Sequence, residues 1–316
     1  MCLLASLSII GLTTLSGCKQ LSLLNPKGMV AQDEKDLLII AVCLMLIIII
    51  PVIVLTLLIA YRYRAGNKKA KYDPHLTHNN NLEIFWWAIP IVIILILAVV
   101  TWVTTHRLDP YRPITAAGKQ PVTIEAVSMN WRWLFIYPDL HIATINEVKF
   151  PVNTPVNFYV TSDGPMNSLM IQQIAGQIYA MDGMTTQIHM ISSHLGTYQG
   201  MSISFSGPGF SNMRFKAHVV DSQAFKAWIS QVKKTGKILN WDGYQEISKN
   251  SMDTKVYYFK LNDSDLFHQI INKYMSPDMI SNSATNAQSG ASESLISLQK
   301  KKPAPIELDQ NGNKIH

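Results

Sequence analysis

Ser202, Ser204 and Ser206 stand at alternate positions in Gly200-Met201-Ser202-Ile203-Ser204-Phe205-Ser206. A serine hydroxyl becomes a nucleophile only when a base, oriented by a third group, takes its proton. No motif pairs these serines with such a base, so they read as the outward or polar face of a strand beside Met201, Ile203 and Phe205. Metal chemistry is no better supplied. His106, His141, His189, His194, His218, His268 and His316 show no tight ligand spacing, and a strand followed by a turn is expected to separate His189 from His194. The cysteines are Cys2, Cys18 and Cys43, so the chain after residue 43 can form neither a disulfide nor a thiolate-copper site. Glu83 immediately precedes a long apolar run. A carboxylate there is either simply solvated or collects protons, since its pKa follows its surroundings. Asn130-Trp131-Arg132-Trp133, with Phe135 and Tyr137, is an aromatic cluster whose plain reading is ring packing where a domain meets a membrane.

The elements that would position these residues are legible in the hydropathy. The chain has 316 residues, 48 % of them hydrophobic, and a formal net charge of +6. No dense basic cluster is interleaved with aromatics, which argues against nucleic acid as a partner and suits a bacterial inner-membrane protein. Residues 1–17 are mostly apolar or small and end in Leu15-Ser16-Gly17-Cys18, a lipoprotein-type signal with lipid expected on Cys18. No Lys or Arg precedes the apolar part, and the plain alternative is an uncleaved apolar N-terminus. After a segment over 18–36, residues 37–60 and 84–105 are charge-free and long enough to span a bilayer. Pro51 and Pro90 lie inside them and should kink them, while Trp86, Trp87 and Trp102 mark the second run's ends. Arg62, Arg64, Lys68, Lys69 and Lys71 crowd the loop over 61–83, which places that loop in the cytoplasm and everything after Arg107 in the periplasm.

A Pro-rich linker over 106–121 leads into short alternating segments over 122–221. Val122 to Val127, Val156 to Val160, Thr186 to Met190, Met201 to Phe205 and Met213 to Val219 each alternate, and Asp163-Gly164-Pro165, Asp182-Gly183 and Gly207-Pro208-Gly209 punctuate them. This predicts a small β-sandwich. Residues 222–276 read as helical. Phe225, Trp228, Ile229 and Val232 share one face, and a second helix runs from 263 to 275, capped by Asp263 or Ser264, with Leu266, Phe267, Ile270, Ile271 and Tyr274 on its apolar side. Residues 277–316 are too polar to offset the entropy of ordering and read as a disordered tail.

The stretch from Gly200 to Met213 resembles the copper-ligand loop of subunit II of haem-copper oxidases, Cys-x-Glu-x-Cys-x-x-x-His-x-x-Met. Ser202 and Ser206 take the cysteine places, Ser204 the glutamate place and Phe210 the histidine place, while Met213 keeps its own. The upstream histidine place falls on Asn167. A dinuclear copper centre needs bridging thiolates, and serine is a poor substitute. This pattern is similar to the quinol oxidase branch, subunit II of bacterial cytochrome bo-type ubiquinol oxidases, over roughly residues 15–275. The resemblance implies a two-helix membrane hairpin carrying a cupredoxin-like Greek-key β-sandwich and C-terminal helices. It implies no metal, cofactor or catalytic residue on this chain. Haems, the remaining copper and the quinol site would lie on subunit I, with smaller subunits and membrane lipid as further partners. It gives Glu83 a place at the mouth of a proton-uptake pathway shared with subunit I. It also makes Trp131 and Trp133 part of a region that lies along an electron route in copper-bearing relatives. Two alternatives remain: a cytochrome c oxidase subunit whose copper is lost or held differently, and a lipoprotein binding module with no oxidase partner.

Overall fold

The computed structural model describes residues 22–67, 79–262, 265–275, 305–309 and 314. Cys18, the loop lysines Lys68, Lys69 and Lys71, the cap candidates Asp263 and Ser264, and most of the tail lie outside the described residues. The chain divides into two units, Asp33–Asp109 and the remainder.

The first unit carries α1 (Met29–Arg62) and α2 (Asn80–Arg107), both long and apolar enough to cross a membrane. Each extends past the charge-free runs at 37–60 and 84–105, because backbone bonding continues through polar flanking residues. Asn79 caps α2, its side-chain oxygen accepting from the Asn81 and Leu82 amides at 3.1 and 3.2 Å. At its lower end α1 brings Asp33 within 3.6 Å of Arg107 at the end of α2. Apolar side chains cover both helices on nearly every side and stay exposed in the isolated chain, as suits helices meant for lipid or partner helices.

The second unit is a sandwich. Its larger sheet contains β2 (Val122–Ser128), β3 (Trp133–Tyr137), β4 (Ile142–Ile145), β6 (Val156–Ser162) and β9 (Thr186–Met190). The smaller contains β5 (Glu147–Pro151), β7 (Asn167–Ile171), β8 (Ala175–Ala180), β10 (Gly196–Ser202) and β11 (Arg214–Val220), in the order β5-β11-β10-β7-β8. β2 runs parallel to β6, and β5 parallel to β11, so the chain crosses between sheets rather than meandering. Residues of β3 alternate between two cores. Trp133, Phe135 and Tyr137 face the space between the sheets with Phe150, Phe158 and Phe215. Leu134 and Ile136 face outward into a second cluster.

That second cluster corrects the reading of 222–276 as purely helical. After α3 (Ser222–Thr235), the chain forms β12 (Lys237–Leu239), α4 (Trp241–Ile247), β13 (Tyr257–Leu261) and α5 (Leu266–Asn272). β13 pairs antiparallel with β4, and β12 parallel with β13, extending the larger sheet to β12-β13-β4-β3-β2-β6-β9. α3 seats Phe225, Trp228 and Val232 in the inter-sheet core, as its periodicity predicts. α5 is shorter than expected, and Tyr274 lies beyond its end rather than on its apolar side. β1 (Ile114–Ala116) lies within the linker and pairs with β14 (Ile306–Leu308), so a part of the tail expected to be disordered is a strand.

Candidate functional site

Three elements converge at one end of the sandwich: the start of β7, the end of β10 with the loop that follows, and the strand entry at β11. Asn167, Ser202, Ser204, Ser206, Phe210 and Met213 come together there. Ser202 does not face solvent. It is 7 % exposed, whereas Phe205 is 78 % exposed and Ile203 also points out. β10 ends at Ser202, and inside the sandwich the Trp133 indole offers a donor that apolar neighbours could not satisfy. Trp133 Nε1 donates to Ser202 Oγ at 3.0 Å, and the Ser202 amide donates to the Met213 carbonyl at 3.2 Å. The polar residue therefore goes in and the apolar ones go out, opposite to the simple alternation.

The remaining groups pair among themselves. Asn167 Nδ2 donates to Met213 Sδ at 3.1 Å and to Ser206 Oγ at 3.2 Å. Asn167 Oδ1 accepts from the Ser168 amide at 2.8 Å. Ser168, which the sequence reading passed over, gathers the loop: its hydroxyl accepts from the Ile203 and Ser204 amides, both at 3.1 Å, and lies 3.3 Å from Ser204 Oγ. Trp131 Nε1 holds the Ser206 carbonyl at 3.0 Å. Its ring lies so close over Gly209 that a Cβ there would fall 2.4 Å from the indole, so only glycine fits. Phe210 stands edge-on to Phe205, with centroids 5.7 Å apart. The aromatic cluster is thus part of the sandwich's own core and loop packing.

The fold family implies a dinuclear copper centre at this end of the sandwich, and the residues present do not fit it. The donors are hydroxyls, one amide and one thioether, with neither thiolate nor imidazole. Those hydroxyls and the amide already bond to one another, to Ser168 or to tryptophan, so the ligand positions carry a polar network of the chain's own groups.

A second buried polar node lies on the opposite face of the larger sheet. Asp163, whose side chain is 2 % exposed, receives the Tyr244 hydroxyl at 2.5 Å, the Tyr274 hydroxyl at 2.7 Å and Lys273 Nζ at 2.7 Å. Burial alone would raise its pKa, but the hydrogen bonds from Lys273, Tyr244 and Tyr274 and the Lys273 charge outweigh burial and hold it below the usual carboxylate range. The Asp163-Gly164-Pro165 turn is visible in the sequence; its partners are not, because they lie far along the chain. Arg132 likewise donates to the Ile247 carbonyl. Glu83 sits in the first turn of α2, where a carboxylate also complements the helix dipole.

Residues 28–102 match the family model described as cytochrome c oxidase subunit II, transmembrane domain, and residues 233–278 match the COX aromatic rich motif. The helix pair and the aromatic segment that follows the sandwich are those of an oxidase subunit II. Cytochrome bo(3) ubiquinol oxidase subunit 2 of Pseudomonas aeruginosa is 46 % identical over 268 residues, covering 85 % of this chain and 80 % of the relative. Ubiquinol oxidase subunit 2 of Acetobacter aceti is 41 % identical over 261 residues, covering 82 % and 84 %. The periplasmic domain of subunit II of cytochrome oxidase from Bradyrhizobium japonicum is a looser likeness, with a TM-score of 0.35 and 22 % identity over 36 % of this chain and 94 % of that one. The chain belongs to the cytochrome bo-type ubiquinol oxidase subunit 2 family, and it is a subunit of a haem-copper quinol oxidase.

Proposed function

We propose that this chain is the non-redox subunit II of a proton-pumping terminal oxidase that takes electrons from ubiquinol and reduces oxygen to water. The observation that carries this reading is the network of Asn167, Ser202, Ser206 and Met213, which offers copper a single thioether and neither a bridging thiolate nor an imidazole. A quinol dissolved in the bilayer delivers electrons from within the membrane, so no external relay from a soluble cytochrome is required. Haems, the remaining copper and the quinol site are assigned to subunit I. α1 and α2 cross the inner membrane against that subunit, and the sandwich caps its periplasmic side. Cys18 carries lipid, which mass spectrometry of the mature N-terminus checks directly. In the complex purified through this chain, oxygen uptake proceeds with ubiquinol and not with reduced cytochrome c. Uptake supported by cytochrome c would mean that an electron relay survives here, and would overturn the non-redox assignment.

A further inference from the structure

We propose that the segment Ile114–Ala116 is one edge of a docking groove for a short extended strand, and that Ile306–Leu308 of this same chain is its occupant, closed over the sandwich's entry segment as a strap. The two strands run parallel in the register Ile114↔Ile306, Thr115↔Glu307 and Ala116↔Leu308. Hydrogen bonds bracket the pair: the Ile306 amide donates to the Pro113 carbonyl at 2.8 Å, and the Ala117 amide to the Leu308 carbonyl at 3.1 Å. Side chains alternate as a groove requires. Ile114 and Leu308 go inward and form a separate apolar cluster with Ile191, against which Met29, Val30 and Ile306 pack, while Thr115 and Glu307 face solvent. The groove therefore selects an apolar-x-apolar segment by backbone pairing and one deep leucine pocket. A pair of three-residue strands does not persist on backbone bonds alone, so burial of Leu308 against Ile114 and Ile191 supplies the holding energy. Next to Ile191 in the chain, Ser192 takes part in a junction of chain segments. Asn153 donates to the Ser192 carbonyl at 2.8 Å, Ser192 Oγ donates to the Lys27 carbonyl at 3.0 Å, and Lys119 Nζ donates to the Asn153 carbonyl at 2.9 Å. Releasing the strap would expose the apolar cluster and loosen the linker up to Lys119. This inference rests on the second unit alone and not on the assignment of electron donors.

The test uses the purified oxidase complex with this chain ended after residue 302. Trypsin cleavage at the Lys119–Gln120 bond is expected to quicken about tenfold, because the linker then opens without unfolding the sandwich. Adding a synthetic peptide of residues 303–316 should restore protection in a saturable way, and the same peptide carrying Leu308→Asp should not. Equal cleavage of shortened and complete chains, or equal rescue by both peptides, would overturn the proposal. The complete chain provides a second reading should the shortened one not assemble. Hydrogen exchange at Ala117 should be slow, and faster in Leu308→Asp. Exchange at the free-peptide rate in the unaltered complex would equally refute the strap.

Discussion

Single residues decide what this sandwich can and cannot do. Ser202 occupies a cysteine place, yet its hydroxyl now serves the buried Trp133 indole. Ser202→Ala leaves that donor without a partner and should lower stability by about 1–3 kcal/mol, read as an earlier thermal transition of the complex. Asp163 is a second case, since three donors converge on one buried carboxylate. Asp163→Asn weakens the hydrogen bonds from Tyr244 and Tyr274 and removes the counter-ion of Lys273, which is itself half exposed and stays solvated, so the cost should be about 1–3 kcal/mol. Its pH signature has a definite sign. The folded pKa lies below the ordinary 3.8, so the carboxylate's contribution is complete above that value and fades as pH falls through the lower folded pKa. Melting temperatures of the native chain should therefore drop in this acid window, while those of Asp163→Asn stay flatter. Equal slopes for the two would refute the assignment. The inward turn of Ser202 was illegible in the sequence, because alternation reports which residues share a face and not which face is inside. Here a tryptophan more than sixty residues upstream decided it.

Among elements, the C-terminal segment matters most. α5 runs only from Leu266 to Asn272, too short to be helical on its own, so its shape comes from packing against the outer face of the larger sheet. Phe267 is buried there beside Leu266, Ile270 and Ile271. Phe267→Ala should cost about 3–5 kcal/mol and should also free Lys273 and Tyr274 from Asp163, visible as faster hydrogen exchange across 266–275. A stability loss without that local loosening would separate the helix from the node. α3 was readable because four large residues share one face over its length. β11 was readable because it alternates between a wet and a dry side, and β2, β6 and β9 because polar and apolar residue types alternate along them even where both faces are covered. β12 was hidden because Lys237–Leu239 is too short for a period to show. β13 was hidden because Tyr258, which packs toward the inter-sheet core, and Phe259, in the outer cluster, are both large aromatics, so no polar residue marks a wet side there. β3 and β4 are covered on both faces, so their runs carry no alternation at all.

For the whole molecule, the two long apolar helices were the most legible part, since length and apolarity alone mark a helix able to span a bilayer. Only their ends moved, outward into polar residues, with Asn79 capping α2. Glu83 is the one ionisable group at those ends whose proposed task concerns the entire complex. Glu83→Gln keeps shape and capping but cannot release a proton, so oxygen reduction should slow severalfold while assembly and haem content hold. Unchanged turnover in a fully assembled complex would leave Glu83 as a solvated helix-end carboxylate. The pairing of Ile114 with Ile306 has a further bearing, on the order of events during synthesis. Among the described residues, every strand of the second unit other than β1 and β14 finds its partners before residue 262, whereas β1 must wait for residues 306–308. Contacts between such distant segments form late, after nearer ones have reduced the loop to be closed. A nascent or prematurely ended chain can thus complete both sheets and still present Ile114 and Ile191 uncovered, a mark by which quality control could tell unfinished copies from finished ones.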